Sequence, residues 1–350
     1  MKFWNSRLKN TEEYVPGEQP ENLDEYIKLN TNENPFPPSK PVLDALRTAC
    51  NESLKRYPDP VATEVREIFA RQNNLSVKNV FVGNGSDEIF TLIFRGFIEP
   101  EGTVGFPYPS YALYYTLAQV NGISYEKVPL NDDFTYDMKA FLKKKYDLVI
   151  MANPNNPTGT WCELAEIEAF LKNFKGLLVV DEAYVDFYNN TAIELVKKYD
   201  NVIVTRSFSK SYSLAGMRIG IAAASEEIIR GFMVIKDSYN VNRLSLVAAK
   251  AALLDQKGFK YNIQMVINNK EYLEERLEAL GFIIIPSQAN FIFVRHPGIN
   301  SGELYERLKE QKILVRHYRG PVQSDYIRIS IGTMMEIKTV CSVIESITGP

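Results

Sequence analysis

Apolar and polar positions along this chain change rhythm from one region to the next. Between Val80 and Val204, short apolar runs recur at Val80–Val82, Leu148–Ala152, Leu177–Val180 and Val202–Val204. Each is too short for an independent helix and apolar on both faces, as a strand covered on both sides must be. Between them lie segments of helical period, such as Glu163–Phe174, which sets Leu164, Ile167, Phe170 and Leu171 on one face. Strand and helix in alternation predict an α/β body with a mainly parallel sheet and helices on both sides.

The flanks read differently. The first forty residues are rich in Pro, Asn and Glu and keep no period, so they predict an irregular arm. Val42–Leu54 then places Val42, Leu46, Ala49 and Cys50 at helical spacing. The cluster before Ile89–Phe97 opens another helix. After Val241, long helical stretches (Ile263–Leu280, Gly302–Gln311) alternate with strand candidates Phe282–Ile285, Phe291–Val294, Ile313–Val315 and Tyr326–Ile331. The last helix begins at Thr333, with Glu336 in capping-box spacing and a stripe of Met334, Ile337, Cys341 and Ile344. The expected division is an arm over 1–40, a large domain over 41–245 and a small α+β domain over 246–350.

Composition narrows the function classes. The 350 residues are 45% hydrophobic and 24% charged, with a net charge of -3 and both signs interspersed. No basic stripe points to nucleic acid or an anionic membrane. Three separated cysteines without a CxxC pair suggest a reducing compartment rather than a disulfide framework. The two histidines, His296 and His317, belong to no metal-ligand cluster. Met1–Asn10 lacks the apolar core of a signal peptide, and no apolar run approaches the length of a membrane span. A soluble cytoplasmic protein is expected.

Ligands of open parallel sheets bind beyond the C-terminal strand ends, and polar clusters follow the apolar runs there. Gly83–Glu88 offers glycines and a helix start whose free N–H groups can hold a phosphate. By itself it also reads as a cap supplied by Ser86 or Asp87. A third glycine is missing where Glu88 stands, which argues against a dinucleotide fingerprint, and no Walker ending is present. Asn153–Gly159 is either a rigid loop that fixes asparagine side chains or a plain turn. Asp181–Tyr184 puts a carboxylate at the end of a buried strand, where it needs a cation or several donors. Ser207–Lys210, with Arg218 eight positions on, sets an amine that burial can make nucleophilic beside hydroxyls fit for an anion. A phosphate cradle, a carboxylate, a phenol, a carboxamide and an amine form the set that a pyridoxal phosphate site requires.

At these residues the chain resembles the fold-type I pyridoxal-phosphate aminotransferases, and among them the histidinol-phosphate branch. The similarity runs in order through Tyr14–Gly17, Lys28–Pro35, Arg56–Pro58, Gly83–Glu88, Asn153–Gly159, Asp181–Tyr184, Ser207–Lys210, Leu214–Gly220, Tyr239–Asn242, Ala289–Phe291 and Ile327–Thr333. The resemblance implies a large domain with a mainly parallel seven-stranded sheet and a smaller α+β domain. It implies that Lys210 forms a Schiff base with the cofactor, that Asp181 pairs with the ring nitrogen, and that Tyr184 and Asn156 contact the ring oxygen. Tyr111 would stack on the ring. Ser86 and Asp87, through backbone amides, would surround the phosphate together with Ser207, Ser209 and Arg218, and Tyr57 would reach it from the partner subunit of a homodimer with shared sites. Arg328 alternates with Ile327, Ile329 and Ile331 and so points away from their face. It would grip the α-carboxylate of glutamate or a phosphate ester, helped by Arg316 at the end of its own strand; Tyr14, Asn32 and Tyr239 complete the expected substrate site.

The implied reaction is a ping-pong amino transfer between L-histidinol phosphate and 2-oxoglutarate, through a Lys210 aldimine. Aromatic amino acid aminotransferase and phosphothreonine decarboxylase-like readings stay open within the same cofactor class. A nicotinamide dehydrogenase built on Gly83–Glu88 is a distant alternative. A transcription regulator of this fold would need a DNA-binding module ahead of the arm, for which the sequence leaves no room.

Overall fold

The structure is a computed structural model that describes residues 2–349. A short helix α1 (Ser6–Lys9) and a two-residue strand β1 (Ile27–Lys28) belong to the arm, and helices α2 (Lys40–Ala49) and α3 (Thr63–Gln72) follow. The region of alternating pattern then runs β2 (Val80–Gly83), α4 (Ser86–Gly96), β3 (Thr103–Tyr108), α5 (Leu113–Asn121), β4 (Ser124–Pro129), β5 (Leu148–Ala152), α6 (Leu164–Asn173), β6 (Leu177–Asp181), β7 (Val202–Ser207) and β8 (Gly220–Ala224). Helices α7 (Glu226–Ile235), α8 (Arg243–Leu254) and the long α9 (Gln256–Ala279) lead to the second sheet. That part comprises β9 (Ile283–Ile285), β10 (Phe291–Arg295), α10 (Ser301–Glu310), β11 (Ile313–Leu314), β12 (Arg316–His317), β13 (Ile327–Ser330) and α11 (Met334–Thr348). Among the described residues no helix is long and apolar enough to cross a membrane.

The large sheet has seven strands in the order β2-β8-β7-β6-β5-β3-β4, all parallel except β8, which runs against both neighbours. Its pleat sorts the core. Val80, Val82, Val149, Met151, Leu178, Val180, Val202 and Val204 pack on one face, while Phe81, Leu148, Ile150, Val179 and Ile203 pack on the other. Both faces are dry, which explains why these strands read as continuous apolar runs. The second sheet, β12-β13-β10-β9, is antiparallel and packs against α9, α10 and α11 over Leu273, Leu308 and Ile337. β1 pairs in parallel with β11, tying the arm to the second body. Helix α8 lies against α2 and α3, on the side of the large sheet.

Several boundaries differ from the sequence reading for identifiable reasons. The helix expected over Val42–Leu54 stops at Ala49, because the Asn51 side chain accepts from the Ser53 amide at 2.8 Å and starts a separate 3-10 turn. Helix α9 begins at Gln256, ahead of the expected Ile263, capped by Asp255, which accepts from the Gly258 amide at 3.1 Å. The last helix does carry its capping box, Thr333 with Glu336. The strand expected over Ile313–Val315 splits at Val315, so Arg316 opens β12 in the other sheet instead of ending its own strand.

Candidate active site

The register of the large sheet brings its polar strand ends together. Asp181 ends β6, with Ala152 of β5 on one side and Thr205 of β7 on the other. Its carboxylate accepts from the Tyr114 hydroxyl at 2.6 Å and from the Thr205 hydroxyl at 3.0 Å. Burial pushes the Asp181 carboxyl up to about 6, against the pull of those two donors. Past the end of β7, the Lys210 amine donates to the Thr31 carbonyl at 3.0 Å. Burial first, then the positive charge of Arg328, lowers this amine to about 8, while Glu33 and Asp87 oppose the shift. An amine and a carboxyl of altered acidity therefore open on one cavity of about 550 Å³.

The start of α4 forms one wall. Its N-cap is Gly85, not Ser86 or Asp87, so the amides of these two first-turn residues receive no side-chain cap. Gly85 has a φ of 79°, and a Cβ there would lie 2.8 Å from an Arg218 guanidinium nitrogen. Arg218 donates to the Asp87 carboxylate at 2.8 Å, and the Ser207 hydroxyl accepts from the Ser209 amide at 3.2 Å. Ser86, Asp87, Ser207, Ser209 and Arg218 all line the cavity. Two hydroxyls, a helix N-terminus and a guanidinium make a pocket for a phosphate.

The opposite wall comes from the second body. Arg328 on β13 is 5% exposed, directly across from Phe293 on one side and Arg316 on the other. It donates to Asn156 Oδ1 at 2.5 Å and to the Asn30 carbonyl at 2.7 Å, and its Nε is buried without a partner. Arg316 donates to the carbonyls of Val15 and Pro16 at 2.9 and 3.0 Å, holding the arm across the mouth of the cavity. In the Asn153–Gly159 loop, Asn153 bonds Cys162 and Asn155 bonds Pro109, Ser110 and Thr158. Those two shape the loop, and Asn156 faces the cavity.

Tyr184 is buried, and its hydroxyl accepts from the Asn32 amide nitrogen at 3.0 Å. Burial raises its phenol well above the usual range despite Arg328 and Asn32, which leaves an O–H free to donate. Tyr111 lies edge-on to Tyr14 and Tyr114, with its hydroxyl 3.5 Å from Asp87. Tyr14, Asn32 and Arg316 line the same cavity as Lys210.

Two expected site residues lie elsewhere. Tyr57 and Tyr239 are 76% and 44% exposed, stack on each other with centroids 4.2 Å apart, and do not line the cavity. Tyr239 precedes Asn240, whose side chain is bound to the Val82 carbonyl and to Glu88, and that anchor carries the ring outward. Tyr239, expected at the substrate site, therefore does not face the cavity of its own chain. The sequence reading also missed Tyr114 and Thr205, which hold Asp181, and Thr31 and Glu33, which act on Lys210. The available signals were Thr205 directly after the apolar run Val202–Val204 and Tyr114 three residues beyond Tyr111. Among the described residues no group of His, Cys, Asp and Glu side chains could hold a metal ion.

Residues 24–344 match the family described as aminotransferase class I and II. A histidinol-phosphate aminotransferase of Clostridium botulinum is 41% identical over 350 residues, 99% of this chain and 98% of its own length. Its counterpart in Acinetobacter baylyi is 42% identical over 340 residues, 95% of this chain and 94% of its own. Among solved structures, histidinol-phosphate aminotransferase from Sinorhizobium meliloti in complex with pyridoxal-5'-phosphate superposes with a TM-score of 0.90 at 27% identity, covering 99% of both chains.

Proposed function

We infer the activity from two facts together: the chain belongs to the class I and II aminotransferases, and one cavity joins the Lys210 amine, the Asp181 carboxyl and Arg328. It is a pyridoxal-phosphate-dependent aminotransferase of fold type I. It exchanges the amino group of L-histidinol phosphate with 2-oxoglutarate, giving imidazole acetol phosphate and L-glutamate, a step of histidine biosynthesis. The observation that carries this reading is one cavity lined by the Lys210 amine, the Asp181 carboxyl, two serine hydroxyls (Ser207 and Ser209) and the guanidinium groups of Arg218 and Arg328.

The residues present fit the cofactor. A Cβ at Gly85 would fill the space beside Arg218 where the phosphate would sit, and the uncapped first turn of α4 supplies amides to it. Ser86, Asp87, Ser207, Ser209 and Arg218 would hold the phosphate, with the partner subunit's Tyr57 reaching in from the other half of a homodimer. When bound, pyridoxal phosphate supplies an aldehyde that condenses with amines and a ring that takes up the electron pair of a broken Cα–H bond.

The chain's own groups do the rest. Lys210 supplies the amine that anchors the cofactor; once displaced, the same amine is a base of suitable strength to take the proton from the substrate Cα. Asp181, ionised against a positive partner, would keep a proton on the ring nitrogen. The Tyr184 hydroxyl and the Asn156 carboxamide would orient the ring oxygen, and Tyr111 would cover a ring face. Arg328, which lines the same cavity, would pair with the carboxylate of glutamate or the phosphate of the other substrate, so one cation serves both halves of the reaction. Arg316, Tyr14 and Asn32 close the cavity over the substrate. The working form is a cytoplasmic homodimer.

A half-reaction screen tests the assignment. Histidinol phosphate, glutamate, phenylalanine and phosphothreonine are each mixed with cofactor-loaded protein while the visible band is recorded. Histidinol phosphate and glutamate should bleach it with release of the matching oxo product. Faster bleaching by phenylalanine, or carbon dioxide from phosphothreonine, would replace this substrate assignment with one of the alternatives.

A further inference from the structure

Behind the cavity, and lining none of it, lies a buried group of charges that the reaction described above does not use. Arg206, the penultimate residue of β7, pairs with Glu182 Oε2 at 2.8 Å and donates to Asp186 Oδ1 at 2.7 Å and to the Thr191 hydroxyl at 2.9 Å. The Thr191 hydroxyl donates in turn to Glu182 Oε2 at 2.7 Å. The Ser211 hydroxyl donates to Asp186 Oδ2 at 2.5 Å. The side chains of Arg206, Glu182 and Asp186 are only 14%, 0% and 18% exposed. Two carboxylates thus share one guanidinium in a nearly dry environment, an arrangement that apolar residues of equal volume would match or exceed in stability.

Its place in the chain suggests a different purpose. Glu182 follows Asp181, Arg206 precedes Ser207, and Ser211 follows Lys210. Glu182, Arg206 and Ser211 are therefore each one peptide away from a residue that faces the cavity, and Asp186 bridges Arg206 and Ser211. The bond from Ser211 to Asp186 fixes the backbone on the far side of Lys210, where the Asn34 amide nitrogen already donates to the Lys210 carbonyl at 3.0 Å. We propose that Arg206, Glu182, Asp186 and Ser211 are positioning residues of the transamination, a buried clamp that sets the Lys210 amine against the Asp181 carboxyl. The proposal rests on the reading of Lys210 as the cofactor-binding amine. A misplacement of about an ångström at a reacting atom lowers rates far more than it weakens binding.

The test uses the full-length protein loaded with pyridoxal phosphate, with Ser211→Ala, Asp186→Asn and the double variant. Ser211→Ala removes the bond to Asp186, and Asp186→Asn weakens that bond and removes the charge paired with Arg206, each with side-chain volume nearly kept. The rate of the glutamate half-reaction should fall on the order of 10- to 100-fold in each. The double variant should lose less than the product of the two single losses, because the changes share the Ser211–Asp186 contact. Visible circular dichroism per unit absorbance should drop as the chromophore loosens, with cofactor affinity and glutamate KM changing by less than about threefold. Additive losses, or unchanged rate and dichroism, would overturn the clamp. So would a loss confined to melting temperature and cofactor affinity with normal dichroism. A wild-type protein without a visible band would sink the reading of Lys210 itself, and the clamp with it.

Discussion

Lys210 and Asp181 are shifted by the same burial in opposite directions, the amine toward its neutral form and the carboxyl toward its protonated one. Lys210→Ala should abolish turnover and remove the visible band of the loaded protein, read by steady-state assay and absorbance. The Asp181 carboxyl predicts a pH effect in the cofactor-free protein. Its folded value of about 6 exceeds the ordinary 3.8, so between these pH values the folded state holds more protons than the unfolded one. This group's contribution to stability therefore falls as pH rises through that window, by on the order of 3 kcal/mol in all. The melting midpoint of wild type should decline relative to Asp181→Asn over that range, and parallel curves would refute the assignment. Arg328→Ala should leave the cofactor bound but raise the KM of anionic substrates about 100-fold, the worth of two charge-assisted bonds. A steady-state KM within a few-fold of wild type would move the anion site elsewhere.

At the scale of elements, the phosphate pocket depends on how closely β8 approaches the start of α4. A Cβ on Gly220 would come within 2.5 Å of the Gly85 carbonyl carbon and the Ser86 nitrogen, backbone atoms that cannot swing aside. Gly220→Ala should shift that helix start and weaken cofactor binding about 10-fold or more, from roughly 1–3 kcal/mol of overpacking. Gly216→Ala, with nothing within 4 Å, is the silent control in the same absorbance titration. In the large sheet, the strands legible in the sequence were those apolar on both faces. β3 was hidden by Gly105 and Pro107, β4 by its charged positions Glu126 and Lys127, and β8 by a run of Gly and Ala that carries little strand preference. Site residues were legible where they stood in a motif, as Lys210 and Asp181 did. Tyr114 and Thr205 were not, because only the register of β6 with β7 and the docking of α5 bring them to the carboxylate.

On the scale of the whole molecule, the exposed Tyr57–Tyr239 stack lies outside its own chain's cavity, which suits a residue that works in a neighbour. Tyr57→Ala and Lys210→Ala proteins should each be impaired alone, yet recover activity when unfolded and refolded together. A hybrid dimer would hold one site with both native groups. No recovery on mixing would end the shared-site proposal. The segment around Asn32 joins the two bodies: its amide donates to the Ser330 hydroxyl at 2.9 Å, its side chain to Tyr184, and its carbonyl accepts from Asn290. Those partners lie as many as 298 residues away along the chain. A ribosome therefore has to release almost the entire polypeptide before this crossing point can be seated. Arg316 and Arg328, which close the far side of the cavity, are among the last site residues to be synthesised, so a chain stopped before them lacks its anion-binding wall.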